Sequence, residues 1–183
     1  EINEQVLNEV TISSTRIREA LQRGDIKTAN EFLGYPYFFE GEVIHGDKRG
    51  RTIGYPTANI QLQNADKLTP ADGVYAVKVS FTDSEGESTY KQGMMNIGLR
   101  PTVDGLNHSM EVHLFDFNEE IYGKFIQISV IQRIRDEQKF SGIEALKAQL
   151  AKDRKDVIEM WMYFIHSSFS LLILSTSPHL FFP

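Results

Sequence analysis

From residue 37 onward the hydrophobic period of the chain changes from helical to alternating, and this change constrains the fold more than any other feature. The segments "YFFEGEVIHG", "TANIQL", "GVYAVKVSF", "STYKQGMMNIG", "SMEVHLFDF" and "KFIQISVIQRIR" are rich in Val, Ile, Phe and Tyr. A period of two sends successive side chains to opposite faces of a strand. Turn signals lie between them, with "TDSEGE" after the third segment and "VDGLN" before the fifth. Gly, Asp, Asn and Ser favour such turns because they tolerate left-handed backbone or cap it with their side chains. Six short strands with no helical stretch between them predict an antiparallel closed barrel or sandwich rather than a βαβ sheet.

Helical patterns flank the strands. "SSTRIREALQRG" offers Ser and Thr as caps before Ile17, Ala20 and Leu21, with Gly24 as the stop. "DIKTANEFLG" repeats the logic, with Asp25 as cap and Gly34 as stop. After the last strand, "SGIEALKAQLAKDRKDVIEMW" predicts a helix with a capping box from Ser141 and Glu144. Its apolar face carries Ile143, Leu146 and Leu150. Past Glu159 the chain has no Asp, Glu, Lys or Arg. That tail is long enough to span a bilayer. It nevertheless carries six Ser or Thr, two His and two Pro, without a basic flank. The break in composition predicts a segment foreign to the fold, in preference to a membrane anchor or the end of a helix. The domain reading is therefore a helical unit at 1–34, a barrel with its helix at 35–160, and an atypical apolar tail at 161–183.

Composition narrows the function classes. The chain of 183 residues has no cysteine, which excludes disulfides and thiolate metal sites and agrees with a reducing cytoplasm. Its net charge of -6 disfavours broad nucleic-acid binding, so a basic site must be local. The N-terminus has neither the basic start nor the apolar run of a signal peptide. It also lacks an initiator methionine, which suggests a piece of a longer protein.

The local basic site is "GEVIHGDKRGRTIGYPTANI", residues 41 to 60. Gly46, Gly50 and Gly54 recur every fourth residue, with Lys48, Arg49 and Arg51 between them. Glycine permits close backbone approach, and successive exposed N–H groups make an anion-binding concavity. Phosphate is the natural ligand. No Gly-Lys-Ser/Thr follows at P-loop spacing, and no βαβ unit surrounds the run. Thr57 and Asn59 alternate with Ala58, so they face one way on a strand whose start Pro56 fixes. A hydroxyl and an amide oxygen are hard neutral donors that suit Mg²⁺, which draws the rest of its shell from water and phosphate. The spacing describes equally well a solvated basic hairpin loop followed by a strand with polar outward residues.

A carboxylate would complete a phosphoryl-transfer site. In "SMEVHLFDF", Val112 and Leu114 point one way and Glu111, His113 and Phe115 the other. Glu111 is the candidate general base if that face opens on the phosphate site, and an ordinary solvent-facing residue if it does not. Asp116, Glu119 and Glu120 fall in the turn "DFNEEIYG", where acids are commonly solvated. His113 and His45 read more readily as structural residues than as catalysts.

"GEVIHGDKRGRTIGYPTANI", "MNIGLRPT", "MEVHLFDFNEEIYG" and "IRDEQKFSGIEALKAQL", in that order and spacing, resemble the riboflavin kinase family. "TISSTRIREAL" ahead of them resembles the end of the adenylyltransferase module in bacterial bifunctional riboflavin kinase/FMN adenylyltransferases. The likeness covers roughly residues 10 to 157. It implies a six-stranded Greek-key barrel with a C-terminal helix beside a flavin site. It implies transfer of the ATP γ-phosphate to the riboflavin 5′-hydroxyl, giving FMN and ADP. Residue by residue, Thr57 and Asn59 would bind Mg²⁺ and nucleotide, and Gly46, Arg51 and Gly54 would belong to a phosphate flap. Glu111 would be the base. Arg135 and the start of the following helix would lie near the flavin, and Asn96 would shape the site between the substrates. The partners expected are riboflavin or FMN and ATP or ADP, with no nucleic acid and no membrane; no protein partner is indicated.

The chain departs from the family in two ways. It has no His-x-Gly-His, so FAD synthesis is not expected of it. The tail after about Val157 does not look like the family's helix end, and this or the truncation raises a rival: a flavin- or nucleotide-binding barrel with impaired turnover. A third reading is a barrel that holds an acidic partner or nucleic acid through its basic loop, against which the net charge counts.

Overall fold

The computed structural model describes residues 4–46, 49–82, 85–102 and 105–175. Two helices open the chain: α1 (Glu4–Arg23) and α2 (Ile26–Leu33). The Asp25 carboxylate caps α2 by accepting from the Thr28 N–H, and Gly34 closes it in a left-handed conformation. Gly24 separates the two helices, also with a positive φ. The Ser and Thr residues at 13–15, expected as caps, instead lie within α1, which begins about ten residues earlier. Ser and Thr fit an exposed helix interior at a modest cost in propensity, so their presence alone does not place a start.

Six strands follow: β1 (Phe38–Ile44), β2 (Ala58–Leu62), β3 (Gly73–Thr82), β4 (Ser88–Thr102), β5 (Gly105–Leu114) and β6 (Phe125–Arg135). They close into a barrel in the order β1-β2-β5-β4-β3-β6, every pair antiparallel. β3, β4 and β5 form a meander, and β6 returns beside β3, which is the Greek-key order. Closure leaves no unpaired edge. The expected turns "TDSEGE" and "VDGLN" include Asp83, Ser84, Val103 and Asp104, which lie outside the described residues.

Alternation decides which side chains fill the barrel. Tyr75, Val77 and Val79 on β3, Met95 and Ile97 on β4, Val112 and Leu114 on β5 and Ile126, Ile128 and Val130 on β6 form one buried core. Fully burying each such side chain contributes about 1.5–3 kcal/mol. Ala20 and Leu21 of α1 and Ile26 and Ala29 of α2 belong to the same core, so these helices floor the barrel.

The last helix, α4 (Ile143–Ser175), lies outside the barrel. Its Leu150, Val157, Ile158 and Trp161 pack on Val74, Ala76 and Met94, the outward residues of β3 and β4. The Leu146 N–H bonds to the Gly142 carbonyl, so Gly142 rather than Ser141 stands at the cap, and the Glu144 carboxylate pairs with Lys147. The helix does not stop at the compositional break near Glu159 but continues to Ser175. Among the described residues, no helix is long and apolar enough to cross a membrane.

Candidate active site

The barrel register sets one row of side chains side by side. Asn59 on β2 pairs with Glu111 on β5, which pairs with Asn96 on β4. Asn96 pairs with Val74 on β3, and Val74 with Arg135 on β6. The neighbours of this row in sequence, Val112, Met95 and Tyr75, point into the core. The row therefore faces outward, under α4 and the segment that joins β1 to β2. The sequence brings a carboxylate, two amides and a guanidinium from four strands onto one face.

The β1–β2 segment is not a plain hairpin loop. It contains a single helical turn, α3 (Arg49–Thr52), closed by a Tyr55 N–H to Gly50 carbonyl bond. Lys48 lies outside the described residues. Gly54 has φ +86°, a left-handed conformation that glycine adopts without strain. Gly46 lies against Asn59: a Cβ there would come 2.0 Å from the Asn59 side-chain nitrogen. Asn59 is thus wedged between the segment above it and Glu111 beside it.

Two clefts flank this segment. The first, of about 390 Å³, lies between Arg51, Pro56 and Thr57 on one side and the β5–β6 turn, Phe117 to Tyr122, on the other. The second, of about 550 Å³, lies between the barrel face and α4. Its barrel wall includes Met94, Asn96, Glu111 and His113, and its helix wall Ile143, Leu146 and Leu150. Thr57 lines both. Its hydroxyl donates to Glu111 Oε2 at 3.1 Å. Among the described residues, the one common to the two clefts is therefore bonded to the carboxylate expected as base.

His113 lies two residues beyond Glu111 on the same face. Its Nδ1 is 2.8 Å from the Pro56 carbonyl oxygen, which can only accept, so Nδ1 carries the proton. Burial pushes the imidazole below its ordinary range, and the Pro56 carbonyl opposes this less strongly. The ring stands among Tyr55 and Phe115. His45 stacks on Tyr122, with ring centroids 3.9 Å apart, and so joins the end of β1 to the β5–β6 turn.

Arg135 lines the second cleft, but most of its guanidinium is engaged. Nε and one terminal nitrogen hold the Asp153 carboxylate at 2.8–3.0 Å, and the other terminal nitrogen donates to the Asp136 carbonyl. Asp153 is fully buried on α4 and also accepts from Gln149 at 2.7 Å. Arg135 further stacks over Phe140. Charged bidentate pairs of this kind are short and strong. Arg135 is thus a fastening for the helix wall as well as a cleft residue.

Thr57, Asn59, Glu111, Asn96 and Arg135 come together on this face, and Arg51 stands on the first cleft. Gly46 and Gly54 shape the covering segment and line neither cleft, and nor does Asn59, whose side chain is packed under Gly46. Sequence reasoning missed the β5–β6 turn as a wall: Glu119 and Glu120 looked like solvated turn acids, and they are exposed, yet they line the first cleft and Glu120 lies 3.9 Å from Arg51. It also missed Asp153, hidden in the charge run "KDRKD". The aromatic residues Tyr55 and Tyr122 beside the glycine run and the acidic turn were the available signal.

The closed barrel thus carries two clefts that meet at a hydroxyl–carboxylate pair. The riboflavin kinase (flavokinase) family description matches residues 33–161, and the chain belongs to that family. It is 51% identical over 150 residues to the bifunctional riboflavin kinase/FMN adenylyltransferase of Bacillus subtilis, covering 80% of this chain and 46% of that one. It thus spans about half the length of such relatives. The solved structure of riboflavin kinase from Trypanosoma brucei superposes with a TM-score of 0.55 at 26% identity, over 81% of this chain and 91% of that one. A Streptococcus pneumoniae structure described as a macrolide-efflux protein superposes at 0.71 with 42% identity, over 78% of this chain and 45% of that one.

Proposed function

We propose that this chain is a riboflavin kinase that transfers the γ-phosphate of ATP to the riboflavin 5′-hydroxyl, forming FMN and ADP. The observation that carries the reading is Thr57, shared by both clefts and bonded to Glu111. The second cleft suits the flavin: its volume is within the range of small-molecule sites, and Met94, Phe140, Leu146 and Leu150 offer apolar walls to a planar ring. The first cleft suits the nucleotide, with Arg51 at its edge and the glycine-bearing segment beside it.

In this reading the 5′-hydroxyl takes the place of Thr57 as donor to Glu111. Its oxygen attacks the γ-phosphorus in line, its proton passes to Glu111, and the bridging oxygen leaves with ADP. The protein's contribution is positioning and electrostatics. Thr57 and Asn59 would hold Mg²⁺. The donors present fit that ion: the Thr57 hydroxyl, the Asn59 amide and, 3.1 Å from Thr57, the Glu111 carboxylate are all hard oxygens. Among the described residues no group of three His, Cys, Asp or Glu gathers to form a cage. Such a sparse set suits an ion that keeps its waters and takes phosphate oxygens. When bound, the ion supplies charge neutralisation at the β- and γ-phosphates. Asn96, beside Glu111, is placed by this reading between the substrates. In this reading residues 35–160 are the catalytic unit, floored by α1 and α2, and the tail at 161–183 is an addition to it, although Trp161 still packs on β3 and β4. A cytoplasmic setting suits an ATP-dependent reaction in a chain without cysteine.

The test is to mix the chain with riboflavin, ATP and Mg²⁺ and separate the flavins by chromatography. FMN without FAD is expected. Riboflavin binding with no FMN would replace the enzyme by a flavin-binding barrel.

A further inference from the structure

His113 is a buried titratable group that the phosphoryl transfer does not use. It touches neither reacting atom in the proposed chemistry, yet its Nδ1–H is bonded to the carbonyl of Pro56, the residue immediately before Thr57. Proline's ring fixes φ at Pro56, so the remaining freedom of the peptide that carries Thr57 is rotation about the bond next to that carbonyl. A hydrogen bond to the carbonyl removes it. His113 itself is held by β5, two residues from Glu111, on the same outward face. The base and the anchor of the hydroxyl therefore stand on one rigid strand, and Thr57 is fixed against Glu111 through both.

We propose that His113 is a positioning residue: its Nδ1–H, acting on the Pro56 carbonyl, sets the location of Thr57 between the two clefts. This rests on the kinase reading for its consequence in rate, but not for its structural content. The surroundings support a fixed ring. Tyr55 and Phe115 lie 5.3 and 5.7 Å from it by ring centroid, and its exposure is 8%. A displaced hydroxyl matters because a shift of about 1 Å in a reacting constellation costs on the order of a hundredfold in rate.

Two substitutions separate positioning from packing. The side-chain nitrogen of asparagine is as many bonds from Cα as Nδ1, so His113→Asn retains a donor near the Pro56 carbonyl while losing the ring. His113→Leu keeps apolar bulk and loses the donor. His113→Leu is expected to lower kcat roughly ten- to hundredfold, with both KM values changed by less than about threefold, and His113→Asn to recover most of that loss. In a Thr57→Ala background, His113→Leu is expected to cost less than about twofold more, because the residue through which it acts is gone. Equal losses in both backgrounds, or an asparagine variant as slow as the leucine one, would overturn the proposal. Nuclear magnetic resonance of the isotope-labelled chain gives a readout independent of turnover. The His113 Nδ1 resonance should be that of a protonated nitrogen, and the Thr57 amide should shift in His113→Leu but stay near its original position in His113→Asn. If the wild-type chain forms no FMN, the kinase reading fails, while the Thr57 amide still decides whether His113 holds that segment. An unmoved Thr57 amide in His113→Leu sinks the positioning role whatever the rate.

Discussion

The two clefts share Thr57 but are held by opposite kinds of contact. The wall of the second cleft is α4, fastened by Arg135 and Asp153, whose side chains are 17% and 1% exposed, and by the apolar cluster around Val157. The rim of the first cleft is formed by the β1–β2 and β5–β6 connections, bridged by Arg51 and Glu120 at 57% and 75% exposure. A buried pair loses water on both sides, so removing one partner strands a charge. An exposed pair is screened and flexible, so removing it changes little. The difference makes α4 a fixed wall of the second cleft and leaves the first cleft an adjustable rim.

Substitutions can break this contrast, and the largest effect should come where the clefts meet. Glu111→Gln keeps the size of the side chain and removes its basicity; kcat should fall about 10²–10⁴-fold with substrate binding largely retained. Wild-type turnover would remove Glu111 from its role. Next comes the α4 wall of the second cleft. Asp153→Ala leaves Arg135 without its carboxylate and should cost about 3–5 kcal/mol in chemical denaturation, with a raised KM for riboflavin. A loss under about 1 kcal/mol would mean that the apolar cluster alone holds α4.

A smaller effect is expected from pH. The His113 pKa is lowered by burial from the ordinary value of 6.5. The unfolded chain then binds the proton more readily than the folded one. This part of the stability is complete above about pH 6.5 and is lost as pH falls from there through the depressed folded value. Unfolding midpoints measured between about pH 8 and pH 5 should therefore drop less steeply in His113→Asn than in the wild type. The smallest effect belongs to the rim of the first cleft. Glu120→Gln should change stability by no more than about 1 kcal/mol, and any change in KM for ATP should shrink at high salt. A stability loss as large as that of Asp153→Ala would erase the contrast between the two clefts.

Much of this was legible in the chain itself. The alternating segments give six strands, Asp25 and Gly34 bound α2, and the glycine run with Pro56-Thr57-Ala58-Asn59 marks the segment between the two clefts, because these signals depend on neighbours within a few residues. The early start of α1 was not legible, since Ser13, Ser14 and Thr15 are as acceptable on an exposed helix face as at its cap. The helical course of α4 past Glu159 was also hidden behind a change of composition that does not alter helix geometry.

By itself the sequence determined the period of each segment, the outward direction of Glu111 and the hard oxygen donors at Thr57 and Asn59. Only the tertiary structure decided that Asp153 is buried against Arg135, that the acidic turn walls a cleft, and that His113 bonds to the Pro56 carbonyl. These contacts join residues 18 to 57 positions apart or elements that meet only on closure of the barrel. A charge run or a lone histidine carries no local mark of its partner, because the partner is set by strand register and packing, not by spacing along the chain.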